Sequence, residues 1–90
     1  MRVTVHYLAQ MKRAAGCSVE AADLRDTATL HSLLAILAER HGASLRELLL
    51  DEAQQPRRWL LFFVGDVHVD TSYPLKDGDA VTILAPMAGG

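Results

Sequence analysis

Apolar and polar side chains alternate from the first residues of the chain. Val3, Val5 and Tyr7 occupy every second position, and polar residues lie between them. Successive side chains of an extended strand point to opposite faces, so a period of two is typical of a strand with one buried face. The alternation therefore predicts a first β-strand from Arg2 to Leu8.

A weaker alternation of the same kind follows Gly16. Over residues 17–24, Val19 and Ala21 fall on one side of the chain and polar residues fall on the other. The intervening residues 9–16 show no alternation. We therefore predict a second strand that pairs with the first in a hairpin-like arrangement with a long connection.

The spacing becomes helical after residue 29. Apolar side chains then recur every three or four residues, at Leu30, Leu33, Leu34, Leu37 and Ala38. This spacing predicts a helix from about Leu30 to Arg40, with Thr27 or Thr29 as its N-cap. Gly42 follows the predicted end of the helix, where a positive backbone angle favours a residue without Cβ.

Three further segments follow this helix. Helical spacing returns over residues 44–50 and predicts a second, shorter helix. The polar residues 51–58 predict a surface connection, and the unbroken apolar run over residues 59–64 predicts a third strand.

The last part of the chain predicts short strands joined by turns. A tight turn at Gly65 and Asp66 separates the apolar run from residues 67–69, and a turn at residues 76–79 precedes a last strand from Ala80 to Leu84. Two strands, one main helix and two or three further strands predict an α+β domain. Its mixed sheet of four to five strands would carry the main helix on one face.

The apolar run over residues 59–64 predicts more than a strand. A strand in a sheet with one covered face should alternate, yet both sets of side chains in this run are apolar. One set should therefore face outward, and we predict that Trp59, Leu61 and Phe63 form an exposed, partner-binding patch. The alternative is that loop residues or the segment 48–50 cover this set.

Length and charge limit what this domain can do. Ninety residues, 50% of them hydrophobic, with a formal net charge of -2, fit one globular domain with a single modest core. Such a core has little room for a catalytic pocket, which favours a binding or carrier role. The chain lacks the basic stripe that binds a phosphate backbone, so we expect no nucleic acid partner.

Cysteine content and hydropathy bear on the cellular compartment. Cys17 is the single cysteine, which excludes an internal disulfide framework and the four thiolates of an iron-sulfur cluster. The N-terminal residues lack the continuous apolar stretch of a signal peptide, and no segment is long enough to span a bilayer. We therefore expect a cytoplasmic protein with no membrane partner.

The sequence contains no motif for metal, nucleotide or nucleophilic chemistry. Its four histidines lack the spacing that places two imidazoles on one helix face, and no histidine has a cysteine or carboxylate at ligand spacing. No glycine-rich phosphate loop follows a strand, and no Ser-His-Asp or Cys-His motif is present. We therefore expect no metal site and no cofactor bound by this chain.

The sequence ends in Ala88, Gly89 and Gly90. Two glycines have large conformational freedom and no Cβ, so they can enter a narrow channel and present the α-carboxylate to another protein's active site. The alternative is a frayed end without function. A carboxylate is a poor electrophile, but adenylation at a partner's ATP site would let it accept sulfur or a lysine amine.

Two adjoining segments at the end of the sequence resemble a known family. Residues 76–86 read KDGDAVTILAP, and the sequence MAGG follows them. This combination resembles the MoaD/ThiS-type ubiquitin-like sulfur carriers, which include the small subunit of molybdopterin synthase and the carrier of the thiamine pathway. The resemblance implies the β-grasp fold, with a domain over residues 1–84 and a flexible tail over residues 85–90.

The resemblance also implies roles for the last residues. Gly90 would be adenylated by an E1-like activating enzyme that uses ATP, and then thiocarboxylated, with Gly89 as its flexible neighbour. The extended arm that enters the partner's active site would consist of Ala85, Pro86, Met87 and Ala88.

The implied function is that of a sulfur carrier, most closely the small subunit of a molybdopterin synthase, which is not a catalyst on its own. Its partners would be the E1-like enzyme and the large subunit of molybdopterin synthase or another sulfur-accepting enzyme. The alternatives are a sulfur carrier for cysteine, thiamine or tRNA thiolation, and a ubiquitin-like modifier joined to lysines through Gly90. A third alternative is a non-covalent binding module in which the two glycines have no role.

Overall fold

A computed structural model describes residues 1–86, which form a five-stranded sheet and three helices. Residues 87–90 lie outside the described residues. In chain order the elements are β1 (Arg2–Tyr7), α1 (Gln10–Ala15), β2 (Val19–Asp23), α2 (Leu30–His41), α3 (Ala43–Leu49), β3 (Leu61–Val64), β4 (Val67–Val69) and β5 (Ala80–Leu84).

The last strand of the chain lies in the middle of the sheet. The strand order is β2-β1-β5-β3-β4. β5 runs parallel to β1 and antiparallel to β3, while β2 and β4 form antiparallel edges. The segment that follows β5 therefore leaves from the centre of the sheet and not from an edge.

One face of the sheet forms the core together with the helices. Its inward side chains alternate along the strands, as the period of two predicts, and are buried: Val3, Val5, Tyr7, Phe62, Val64, Val81 and Ile83. The helices contribute eight further residues to the cluster: Met11, Leu30, Leu33, Leu34, Leu37, Ala38, Leu45 and Leu49. Burial of these apolar side chains provides the main driving force for folding.

The main helix begins at a capping box. The Thr29 hydroxyl accepts a hydrogen bond from the Ser32 backbone N–H at 3.4 Å, and the Thr29 N–H donates to Ser32 Oγ at 2.8 Å. These two bonds satisfy backbone groups that a helix start otherwise leaves unpaired. Of the two threonines that the sequence offers, Thr29 is therefore the cap. The helix ends before Gly42, whose φ of 81° lies in the region that favours glycine.

Two features depart from the sequence expectations. The connection between the first two strands contains α1, a helix of six residues of which only Met11 is buried. A single buried position creates no helical spacing of apolar residues, so the sequence pattern does not predict this helix. In β2 the apolar side, with Val19 and Ala21, faces outward, and the other side, with Glu20 and Ala22, faces the core.

The expected fold class is confirmed: a mixed sheet of five strands carries the main helix on one face. The division into a domain over 1–84 and a tail over 85–90 stays a prediction. No helix within residues 1–86 is long and apolar enough to cross a bilayer.

Candidate functional site

The sheet has a second face, opposite the helices. Strand pairing places five side chains in one row across this outer face, because directly paired residues share a face, and the row begins with Val19 of β2, which pairs with His6 of β1. His6 of β1 pairs with Thr82 of β5, Thr82 with Phe63 of β3, and Phe63 with His68 of β4. The rings of Phe63 and His68 have centroids 5.4 Å apart. Within this row the aromatic side chain of Phe63 therefore lies between the polar side chains of Thr82 and His68.

A second, apolar row lies at the end of the sheet where β5 finishes. Leu61 pairs with Leu84 on the outer face, and both side chains are partly exposed. Ala85 is still buried, whereas Pro86 is exposed. The chain thus reaches the surface directly beside this row. We call Leu61, Phe63 and Leu84 the outer patch.

The outer patch includes two of the three residues expected to face outward from the apolar run. Leu61 and Phe63 are partly exposed, and Trp59, two residues before β3, is 41% exposed. The alternate side chains of the run are buried, as the geometry of a strand requires: Leu60, Phe62 and Val64. The outward orientation of Leu61 and Phe63 agrees with the prediction, while their role in partner binding stays a prediction.

The segment 48–50, which was the alternative cover for this patch, lies elsewhere. Leu49 and Leu50 are buried in the core cluster, and Leu48 packs against that cluster. These leucines therefore contribute to the helix-covered face and do not shield the outer patch.

Four of the predicted site residues belong to the last segment of the sequence. Met87, Ala88, Gly89 and Gly90 lie outside the described residues. Pro86, the last described residue, follows a central strand and lies beside the outer patch.

A polar cluster that the sequence did not indicate surrounds Glu20. The carboxylate faces the core side of β2 and accepts a hydrogen bond from the Tyr7 hydroxyl at 2.6 Å through Oε2. Arg40 donates to Oε1 at 2.7 Å, and the imidazole Nε2 of His41 bonds to Oε2. Cys17 Sγ lies 3.8 Å from Oε2. Tyr7 and Cys17 belong to the hairpin, whereas Arg40 and His41 end the main helix.

The cluster shifts the pKa values of its members. Burial alone would raise the pKa of Glu20, but hydrogen bonds from Tyr7, Arg40 and His41 outweigh it and hold that pKa below its usual value. Burial, and then the hydrogen bond to Glu20, raise the pKa of the Tyr7 phenol. Burial, and then the charge of Glu20, raise the pKa of the Cys17 thiol. Glu20 is therefore the anion of the cluster, and Tyr7 is a protonated donor.

Three of these side chains have the chemistry of metal ligands. One ligand atom each of Cys17, Glu20 and His41 lies within 4.8 Å of the others, and no further group of this kind occurs in the part of the chain that the structure describes. No sequence motif indicates this group, because Cys17 and Glu20 lie at or just before the start of β2, whereas His41 ends a helix 21 residues after Glu20.

Comparison with known proteins identifies the family. The family model described as the ThiS family matches residues 5–90. Among curated proteins, none matches this chain significantly.

Solved structures similar to this chain share its fold over almost the whole length. SAMP1 from Haloferax volcanii is 17% identical, with a TM-score of 0.91 and 100% of both chains covered. A putative molybdopterin converting factor, subunit 1, from Pyrococcus furiosus is 25% identical, with a TM-score of 0.77 and coverage of 97% of this chain and 99% of that chain. CysO from Mycobacterium tuberculosis is 25% identical, with a TM-score of 0.69 and coverage of 92% of this chain and 97% of that chain. The ubiquitin-like β-grasp fold is thereby confirmed.

Proposed function

Because this chain belongs to the ThiS family of ubiquitin-like sulfur carriers and modifiers, we propose that it is a sulfur carrier that bears its sulfur on Gly90. The observation that carries this proposal is the family match, which extends over residues 5–90 and so includes both final glycines. The proposed product is a thiocarboxylate at the Gly90 carbonyl carbon.

The proposed reaction has two steps. An E1-like partner transfers AMP from ATP to the Gly90 carboxylate and releases pyrophosphate. A sulfide equivalent from a donor then attacks the acyl carbon, so a C–S bond forms and the C–O bond to AMP breaks. ATP is bound by the partner, and this chain needs no cofactor of its own. Gly89 and Gly90 suit this chemistry because neither has a Cβ to obstruct the partner's active site.

The outer patch is the proposed docking surface for these partners. Leu61 and Phe63 present apolar surface beside the point where the chain leaves the sheet at Pro86. A partner bound there would hold Met87, Ala88, Gly89 and Gly90 close to its own active site. Trp59 adds a further exposed aromatic ring to the same segment.

Molybdopterin synthesis is the proposed pathway, with the large subunit of a molybdopterin synthase as the sulfur acceptor. The likeness to the putative molybdopterin converting factor subunit from Pyrococcus furiosus supports it, at 25% identity over 97% of this chain. CysO, at the same identity, supports a different sulfur-accepting enzyme as the alternative.

Intact mass spectrometry tests the proposal. The full chain is incubated with an E1-like enzyme, ATP and a sulfur source, and the expected product has one oxygen replaced by sulfur. Fragment ions should place the sulfur on Gly90. A variant that lacks Gly90 is the matched control and should fold normally but remain unmodified. An unchanged mass, with an enzyme that modifies a known carrier, would contradict the proposal.

A protein modifier is the second candidate function. SAMP1, whose fold this chain shares, is a small archaeal modifier protein. The first step would be the same, but a lysine amine would then attack the activated Gly90 and form an isopeptide bond. Peptides that carry a Gly-Gly remnant on lysine, dependent on Gly90, would favour the modifier. Thiocarboxylate without such adducts would favour the carrier.

A further inference from the structure

The cluster around Glu20 brings together three kinds of side chain that can bind a metal ion. A thiol, a carboxylate and an imidazole converge from three separate positions, with one ligand atom of each within 4.8 Å of the others. Two of them, Cys17 Sγ and His41 Nε2, approach the same carboxylate oxygen, Glu20 Oε2. Side-chain exposures of 15% for Glu20 and 16% for His41 leave the cluster partly open to solvent.

We propose that Cys17 Sγ, Glu20 Oε2 and His41 Nε2 bind a zinc ion or a similar divalent transition metal. Thiolate, imidazole and carboxylate are the three side-chain ligands that zinc takes in proteins. This site uses none of the C-terminal residues and does not depend on the proposed sulfur-carrier function.

The distance between Cys17 Sγ and Glu20 Oε2 suits a tetrahedral ion. Typical Zn–S and Zn–O bonds place two ligand atoms about 3.6 Å apart at a tetrahedral angle. Cys17 Sγ and Glu20 Oε2 are 3.8 Å apart. His41 Nε2 is in direct hydrogen-bond contact with Oε2, so it would move outward to about 3.4 Å as the ion replaces the shared proton. That shift requires a small rotation of one partly exposed imidazole.

Arg40 holds the carboxylate oxygen of Glu20 that is not proposed as a metal ligand. Arg40 pairs with the other carboxylate oxygen, Oε1, and also donates to the Ala21 carbonyl at 3.0 Å. Its guanidinium therefore fixes the Glu20 carboxylate from the side away from Oε2. A divalent ion together with Arg40 would face the negative charges of Glu20 and of the Cys17 thiolate. Binding releases the thiol proton to solvent.

Tyr7 would act as an outer-shell partner. Its hydroxyl donates to Glu20 at 2.6 Å and its ring lies edge-on to the His41 ring, with centroids 6.0 Å apart. Outer-shell hydrogen bonds orient metal-binding carboxylates and imidazoles. Three protein ligands leave a fourth position for water or for an exogenous ligand.

Cobalt(II) titration tests the proposal with the full chain, reduced by a reagent that contains no thiol. Cobalt bound to a thiolate gives a ligand-to-metal charge-transfer band, which directly reports coordination by Cys17. We expect one cobalt per chain with this band, and displacement of cobalt by added zinc. Cys17→Ser should abolish the band, and His41→Asn should weaken binding by more than about 100-fold, beyond the loss typical of outer-shell changes.

His31→Asn is the matched control, because His31 lies on the same helix but is exposed and belongs to no metal-ligating group of the described residues. It should bind cobalt like the unchanged protein. Absence of a thiolate band in the unchanged, folded protein would overturn the proposal. A band of full strength in His41→Asn would overturn it as well. If His41→Asn does not fold, the comparison of zinc affinity between Cys17→Ser and the unchanged protein decides, and equal affinities would reject the site.

Discussion

Leu61 and Leu84 lie opposite each other on the outer face of the sheet, at the end where β5 finishes and the chain comes to the surface at Pro86. This pairing joins the apolar outer patch to the start of the segment that leads to the two glycines. A partner that docks on the patch would therefore meet the tail at a fixed place. Proximity of this kind lowers the entropic cost of bringing two reacting groups together.

Leu61→Glu should weaken binding to the activating enzyme while the fold remains intact. A charge placed in a desolvated contact costs affinity, and loss of an interface hot spot is worth about 2 kcal/mol, or about 30-fold in Kd. Titration calorimetry measures the change. Ile36→Glu is the control, because Ile36 is 37% exposed on the helical side. Equal affinities of the two variants would exclude the outer patch as the docking surface.

Thr29→Ala should destabilise the domain by about 1 kcal/mol, since it removes the acceptor of the capping box at the start of the main helix. Urea denaturation measures the free energy of unfolding. Thr27→Ala is a close control, because Thr27 is exposed and precedes the cap by two residues. A larger loss from Thr27→Ala than from Thr29→Ala would mean that the helix begins elsewhere in solution.

The sequence period predicts most of the fold. Regular alternation locates β1 and three-four spacing locates the main helix, because each of these elements buries one complete face, and the turn at residues 76–79 locates the start of β5. The helix α1 is missed for the opposite reason. It buries Met11 alone, so its position is fixed by packing against the rest of the domain and not by a pattern of its own.

Long-range contacts explain what the sequence could not predict about the site. Glu20 faces the core side of β2 because Tyr7, Arg40 and His41 satisfy its carboxylate. None of these partners is a sequence neighbour of Glu20, so the sequence around it predicts that this charged side chain faces solvent. The outward orientation of Leu61 and Phe63 could be predicted because an unbroken apolar strand needs a second cover, whereas a three-ligand cluster drawn from residues far apart in the sequence has no local signature.

Asp23 should titrate below its usual range because of one surface ion pair. The hydrogen bond from Arg2, at 2.8 Å, and then the charge of Arg2 lower the pKa of this carboxyl. A lowered folded-state pKa means that the pair's contribution to stability is present above the unfolded pKa and is lost as pH falls through the folded pKa. NMR titration of the carboxyl should give a midpoint below the usual range of an aspartate, and Arg2→Gln should move it upward. The same midpoint in both proteins would show that Arg2 has no influence.

Tyr7→Phe should destabilise the domain although it leaves the packed ring in place. Tyr7 is 1% exposed and its hydroxyl donates to the Glu20 carboxylate, so the change removes a hydrogen bond to a charged group without opening a cavity. Hydrogen bonds to charged groups contribute about 1.5–3 kcal/mol to the free energy of unfolding. Denaturation in urea, with chelator present, measures the loss in the metal-free protein.

Tyr73→Phe provides the comparison for this change. Tyr73 is partly buried, and its hydroxyl makes no side-chain hydrogen bond within residues 1–86, so its removal should change stability by less than about 0.5 kcal/mol. In zinc titrations Tyr7→Phe should also lower the affinity by about 10- to 100-fold, as loss of an outer-shell partner does. A Tyr7→Phe protein with unchanged stability would show that water replaces the hydroxyl at Glu20, and unchanged zinc affinity would remove Tyr7 from the outer shell.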